Sequence, residues 1–236
     1  MSRKTFLLAV VIVAFGLGTQ LALGQSDERK WEVGGQFSAL RLVSHSSTSS
    51  AIVCVQAPCP GFAIVADKRE TDYGGGGRLG YNFSQNFALE AEGNLFPSDS
   101  DETGGRKIQG LFGAKAGKRF DTVGLFAKAR PGFVHQQKGD YRQVGACIAI
   151  FPPPIGCFQR VARTSFAMDL GGVVEWYPSK RSIVRFDAGD TIINFGNRNV
   201  AATDVSPGGI VRQVVLPRPS ETTHNFQGNI GVGYRF

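Results

Sequence analysis

The 236-residue sequence predicts an all-β fold, an eight-stranded antiparallel up-and-down transmembrane β-barrel with long extracellular loops. Three observations predict it. Apolar residues recur at every second position in eight separate runs, the mark of strands with two unlike faces. The connections between the runs alternate between short and long. The face opposite the apolar residues carries charges of both signs in nearly equal number.

Composition bounds the alternatives. The chain is 42% hydrophobic, 11% aromatic and 19% charged, with a mean hydropathy of −0.08. That average excludes a bundle of membrane-spanning helices. The 31 glycines follow no G-X-Y period, which excludes collagen. The charged fraction is below the usual quarter and argues against a disordered chain.

The first residues read as an export signal spanning 1–24. Arg3 and Lys4 precede an apolar stretch from Phe6 to Leu17, and Ala22-Leu23-Gly24 offers small residues for cleavage. Gly16, Gly18, Thr19 and Gln20 interrupt the stretch before it reaches the roughly 20 residues of a helical span. No Cys follows Gly24, which argues against a lipoprotein anchor. Removing Arg3 and Lys4 lowers the formal charge from +7 to +5. Residues 25–236 are then the barrel domain.

Export agrees with four cysteines, Cys54, Cys59, Cys147 and Cys157, as disulfide candidates. Three connectivities are possible, of which the two local pairings close the smallest loops. His45, His135 and His224 lack finger-like spacing, so a zinc site is the weaker reading.

The runs follow in order. The first sets Trp31, Val33, Gly35, Phe37 and Ala39 against Glu32, Gly34, Gln36 and Ser38. The second sets Tyr73, Gly75, Gly77, Leu79, Tyr81 and Phe83 against Asp72, Arg78 and Asn82. Phe87, Leu89, Ala91, Gly93 and Leu95 face away from Glu90, Glu92 and Asn94 in the third. In the fourth, Ile108, Gly110, Phe112, Ala114, Ala116 and Phe120 oppose Gln109, Lys115 and Arg119. The fifth has Leu125, Ala127, Ala129 and Phe133 opposite Lys128 and Arg130. Phe166, Met168, Leu170, Gly172, Val174 and Trp176 oppose Asp169 and Glu175 in the sixth. The seventh pairs Val184, Phe186 and Ala188 with Arg185 and Asp187. The last pairs Phe226, Gly228, Ile230, Val232, Tyr234 and Phe236 with Asn225, Gln227, Asn229 and Arg235.

Connections after runs two, four and six are a few residues long. Those after runs one, three, five and seven span roughly 43–70, 97–105, 135–161 and 194–221. Short periplasmic turns opposite long extracellular loops are the expected asymmetry of a membrane barrel, and eight is an even number, as such barrels require. Pro131 lacks a ladder donor and is expected at a bulge or at a membrane-exit end. Gly74 to Gly77 are expected to permit curvature or close backbone approach.

Which face points outward decides between a lipocalin-like carrier and a membrane barrel. Six acids, Glu32, Glu90, Glu92, Asp169, Glu175 and Asp187, face seven bases, Arg78, Lys115, Arg119, Lys128, Arg130, Arg185 and Arg235. An eight-stranded barrel is just wide enough for side chains, so these thirteen are expected to fill its interior as a neutral ion network. Counting up from the short turns puts Glu92, Arg78 and Lys115 at similar heights. Trp31, Phe83, Phe87, Phe120, Trp176, Tyr234 and Phe236 all fall beside short turns or chain ends, as an interfacial aromatic ring would.

The final residues, Ile230-Gly-Val232-Gly-Tyr234-Arg-Phe236, end in Phe with apolar or aromatic residues at every second position before it. With the eight runs, this resembles the small eight-stranded bacterial outer-membrane β-barrels, the OmpA-like and OmpX-like transmembrane domains. The resemblance spans about 25–236. It implies an outer-membrane location in a Gram-negative-type bacterium. It also implies recognition of Ile230, Val232, Tyr234 and Phe236 as an assembly signal by the barrel-assembly machinery. It implies no single biochemical activity.

No cofactor, catalytic or metal residue is expected. His135, His224 and His45 could each meet a serine across Ser-rich loops, but a G-x-S-x-G elbow is missing and such coincidences are common. Gly74 to Gly77 lack the Lys-Ser/Thr of a phosphate loop. Asp187 and Asp190 are too few for a metal site. The bases have acidic partners and form no aromatic-interleaved stripe, so nucleic acid is not expected. Apolar stretches around Cys54, Cys59 and Pro152 to Pro154 suit either extended, stapled strands or an extracellular partner. The sequence thus points to a monomeric barrel with a plugged interior, in contact with outer-membrane lipid and lipopolysaccharide. Its role would be envelope integrity or adhesion-like surface interaction. A narrow solute or ion pore and a lipid-modifying enzyme are the alternatives.

Overall fold

The computed structural model describes residues 30–46, 66–100, 103–143, 157–205 and 211–236. They form ten strands: β1 (Trp31–Ser46), β2 (Ala66–Asn82), β3 (Phe87–Phe96), β4 (Lys107–Arg119) and β5 (Val123–Gln143). Then come β6 (Phe158–Trp176), β7 (Ser182–Phe195), β8 (Arg198–Val205), β9 (Val211–Arg218) and β10 (Glu221–Arg235). Eight of these close into an antiparallel barrel in the order β1-β10-β7-β6-β5-β4-β3-β2. These are the eight runs of alternation. Segment 1–24, Cys54, Cys59 and Cys147 lie outside the described residues, while Cys157 directly precedes β6.

Closure joins the two ends of the chain. The β1–β10 ladder runs from Glu32↔Arg235 to Arg41↔Phe226. Trp31 N donates to Phe236 O at 3.0 Å, and Phe236 N returns to Trp31 O at 2.9 Å. The closed sheet leaves no edge in the hydrocarbon, where an unpaired backbone group would cost several kcal/mol.

The strands outgrow the membrane on one side. A tilted spanning strand needs about 9–11 residues, and β3 has 10. By contrast β5 has 21 and β6 has 19. Their extra length forms a wall that stands above the other strands. Segment 194–221, read from sequence as a loop, contains the β8–β9 hairpin, paired from Arg198↔Arg218 to Val205↔Val211. Its base is tied to the wall. Asn199 N donates to Asp140 Oδ1 at 2.8 Å, and Arg163 Nη1 bonds Asp140 Oδ2 and Asn197 O at 3.1 and 2.7 Å.

Pro131 sits at no bulge; it is the ninth residue of β5, two before the exposed Phe133, at the membrane-exit end of the spanning part. It faces outward and keeps its register with Met168 of β6. On its other side the β4–β5 ladder runs from Lys107↔Gln136 to Leu111↔Gly132 and resumes at Ala114↔Ala129. The missing donor is thus absorbed by a two-residue interruption without a shift of register. The bulge in β5 lies higher, between Gln136 and Asp140. Close approach explains Gly76, where a Cβ would fall 2.1 Å from Gly93 O and from Asn94 Oδ1. Before β4, Gly104 and Gly105 take φ of 86° and 72°, values that favour glycine.

The apolar face points out. Phe37, Phe112, Phe166, Phe186, Phe226 and Val232 are all half or more exposed, while Arg130 and Asp169 are fully buried. At the periplasmic end Trp31 meets Tyr81, Tyr81 meets Phe83 and Phe83 meets Phe87, with ring centroids 4.9, 4.9 and 5.9 Å apart. A second set of exposed rings, including Tyr73, Phe112, Phe133, Phe166 and Phe226, sits toward the extracellular ends.

Ala188 lies outward near the middle of β7. Ala188→Arg is expected to lower folding stability by about 2–4 kcal/mol, whereas Asn194→Arg near the strand end costs at most about 1. Urea titration of the protein in lipid vesicles measures both. Equal, small losses would mean that this face meets water.

Candidate functional site: the barrel lumen

Thirteen ionisable side chains converge on the periplasmic half of the lumen because each occupies the inward parity of its strand. All are buried except Arg119, which is partly so. Lys115 Nζ lies 3.4 Å from Glu32 and 3.1 Å from Glu90, and also contacts Glu175. Arg185 grips Glu90 with both Nη atoms, the Nη2–Oε2 bond being 2.8 Å, and its Nη2 is 2.9 Å from Asp187. Arg130 reaches Glu92 at 2.5 Å, Asp169 at 2.8 Å through Nε, and Asp187 at 3.3 Å. Lys128 joins Asp169 at 2.9 Å and contacts Asp187. Arg235 donates twice to Glu32 Oε1, at 3.0 and 2.7 Å, and Arg119 joins the same oxygen at 3.3 Å.

Two links cross the full bore. In the barrel order β7 lies opposite β3, so Arg185–Glu90 spans the diameter. The same holds for β10 and β4. Gln227 Nε2 donates to Gln109 Oε1 at 3.0 Å, and Gln109 Nε2 donates to Gln227 Oε1 at 2.8 Å.

That reciprocal pair belongs to a second layer made of neutral polar groups. Asn94 Oδ1 accepts from Gln36 and Ser38 at 2.9 and 3.1 Å, and its Nδ2 donates to Glu92 and Gln109 at 2.7 and 2.9 Å. Thr191 donates to Gln227 at 2.8 Å. Asn229 donates to Asp187 at 3.3 Å, which couples this layer to the ions.

Above the amides the lumen holds an apolar cluster among buried polar groups such as Asp72, Lys107 and Asn225. Leu40, Leu42, Phe96, Val134, Ala167, Ile193 and Phe195 form one buried cluster. Beside it Lys107 contacts Asp72 and donates to Thr103 Oγ1 and Gly105 O, each at 2.9 Å. The interior is therefore stratified rather than ionised throughout.

Several groups escaped the sequence reading. Tyr177 follows β6 with inward parity; its hydroxyl donates to Glu175 at 2.8 Å and accepts from Arg119 Nε at 3.0 Å. Phe126 faces inward and lies 4.9 Å from Lys115 Nζ. Continuing the parity by one residue finds the first, and extending it to apolar residues finds the second. One expected neighbourhood changes. Arg78 and Glu92 are register partners, but Lys115 lies opposite Ala88, lower in the barrel. Glu92 bonds Arg130 and Asn94 instead of Arg78.

The carboxylate oxygens of Glu32, Glu90 and Glu175 lie within 4.8 Å of one another, as ligands of a metal would. The Lys115 ammonium already bridges all three. His224 Nδ1 lies 2.6 Å from Asp190 Oδ2, and His135 Nδ1 lies 2.8 Å from Thr164 Oγ1. Neither pair includes a serine.

A closed antiparallel barrel with an apolar exterior and an ion-paired interior is a membrane-spanning barrel. Residues 7–236 match the Outer membrane protein beta-barrel domain, and the chain belongs to that family. Its place is the outer membrane of a Gram-negative bacterium. Among solved structures it is similar to Neisserial surface protein A, with 13% identity, 87% of this chain and 97% of that one covered, and a TM-score of 0.44. Outer membrane protein H of P. aeruginosa is 18% identical, with 88% and 99% covered and a TM-score of 0.40. Ail, the attachment invasion locus protein of Yersinia pestis, is 12% identical, with 88% and 99% covered and a TM-score of 0.40. No curated protein matches the sequence significantly.

Arg185→Met leaves Glu90 buried without its main partner and is expected to cost about 3–5 kcal/mol. Arg185→Met with Glu90→Leu removes both charges and recovers a large part of the loss. Urea unfolding of the three variants, Glu90→Leu included, measures the coupling. Additive losses would show that the pair does not brace the barrel.

Proposed function

We propose that this is a non-conducting, non-catalytic barrel whose interior is a plug and whose working surface is its extracellular rim. One observation carries the reading: ionic, amide and apolar layers close the lumen in series, and the first two are tied across its diameter. Ions meeting this path would have to break charge-assisted bonds and then pass the apolar cluster. The roles left for such a protein are envelope integrity and surface contact.

The rim supports the second role. The β5–β6 wall and the β8–β9 hairpin project together and are tied at the hairpin base. Arg198 there lies 3.5 Å from Glu221 and 4.3 Å from the Phe195 ring. Burial draws its guanidinium below the usual value, and Glu221 counters that pull. The hairpin base is thus anchored to β5 and β7, which supports a surface in contact with lipopolysaccharide or an extracellular partner.

Maturation completes the proposal. Residues 1–24 direct export, the four cysteines staple the extracellular loops, and the barrel works as a monomer. Ile230, Val232, Tyr234 and Phe236 are exposed at the periplasmic end of β10, accessible to the assembly machinery.

In planar bilayers the purified protein is expected to give no steady conductance. Reproducible unit steps would overturn the plug. In cells, Phe236→Ala is expected to slow assembly, so that unfolded protein accumulates in the periplasmic fraction while the heat-modifiable form declines. Unchanged amounts of folded protein would remove Phe236 from the assembly signal.

A further inference from the structure

The ion layer does not balance. Its seven cations face six carboxylates. Among the described residues, Lys115, Arg119, Lys128, Arg130, Arg185 and Arg235 each have a carboxylate within 4 Å. Arg78 is the seventh. It is 5% exposed, and its Nε and Nη2 have no hydrogen-bond partner. These two N–H groups form one edge of the guanidinium, the fork with which arginine grips an anion from the side. Its charged surroundings include the repelling guanidinium of Arg185, whose own Nε is also unpartnered, and the already engaged Glu90, Glu175 and Glu32.

The wall beside it is stripped of side chains. Gly34 stands opposite both Arg78 on β2 and Gly233 on β10. A Cβ on Gly233 would fall 3.1 Å from Arg78 Nη2. The tip of the guanidinium therefore lies close against a wall that has no side chain at Gly233. An unpaired buried charge is strongly unfavourable. Glu92, its register partner, is held by Arg130 and Asn94 and is not released without breaking two other bonds.

We propose that Arg78 is the core of an anion-binding site inside the barrel and holds a small monovalent inorganic anion, such as chloride, on its Nε–Nη2 edge. Arg185 Nε is a further buried donor without a partner. The charge selects the ligand. One negative charge brings the layer to neutrality, whereas a divalent anion would overshoot and meet the neighbouring carboxylates. The site differs from a transport path because the amide and apolar layers close the lumen above it. Its anion is captured during folding.

The test folds the mature chain from urea into detergent with sodium chloride or sodium gluconate at equal ionic strength. Thermal midpoints are read from the heat-modifiable gel shift. The midpoint is expected to rise with the logarithm of chloride concentration, as linkage requires of a ligand bound only by the folded state. That rise is expected to vanish in Arg78→Met. Crystals of protein folded in sodium bromide are expected to show an anomalous peak in hydrogen-bond contact with Arg78. Should Arg78→Met fail to fold, the bromide peak decides alone. Equal midpoints in the two salts, a chloride effect that persists in Arg78→Met, or bromide found only elsewhere would each overturn the proposal.

Discussion

An eight-stranded barrel that shows its apolar face to lipid has no hydrophobic core of the usual kind on the inside, and the structure depends on how it fills that space. Here the decisive interaction is the two-pronged Arg185–Glu90 bond across the bore. Opposite walls of a barrel are far apart in the ladder, so backbone hydrogen bonds alone leave the cross-section free to flatten. A planar guanidinium gripping a carboxylate fixes distance and orientation together. The Gln109–Gln227 exchange repeats the brace in neutral form one layer higher, between a second opposed pair, β4 and β10.

Around that brace the charges share partners. Glu32 serves Lys115, Arg119 and Arg235, and Asp187 serves Lys128, Arg130 and Arg185. Sharing matters because a buried ion pair gains little over its desolvation cost unless its remaining lone pairs and protons are also bonded. Tyr177 and Asn82 supply some of those bonds at the periplasmic mouth, where each touches both a carboxylate and Arg119. The network is thus held by connectivity more than by any one contact.

Much of this was legible in the sequence. Strict parity assigned the inward face of every barrel strand, and the alternation of connection lengths gave the topology. Parity fixes direction but not reach. Which carboxylate a long Arg selects depends on strand stagger and side-chain extension, so Arg78 and Glu92, correctly placed as neighbours, do not bond. Reading the inward face as polar also hid Leu40, Phe96, Val134 and Ile193, which have inward parity but lie just beyond where the charged part of each run ends. The β8–β9 hairpin escaped for another reason: RNVAATDV and VRQVVLPR carry little of the period-two contrast that marks the barrel strands.

The order of the layers argues against a conduit more strongly than the presence of charges does. A polar lumen can wet, and an ion network that loosens can pass water. An apolar cluster in series imposes a different penalty, since ions passing it lose hydration and the polar groups beside it, Lys107 and Asp72, are already paired with each other. Opening one layer leaves the other shut. The amides between them couple to both sides, through Asn229 to Asp187 below and through the shared strand β3 to Phe96 above. A rearrangement wide enough to conduct would have to break the braces on both of the tied strand pairs, β3–β7 and β4–β10, as well as the apolar packing. The periplasmic half is braced by its ions, the extracellular half holds an apolar cluster beside the Lys107–Asp72 pair, and under the proposed plug the rim is the part of the molecule left to act.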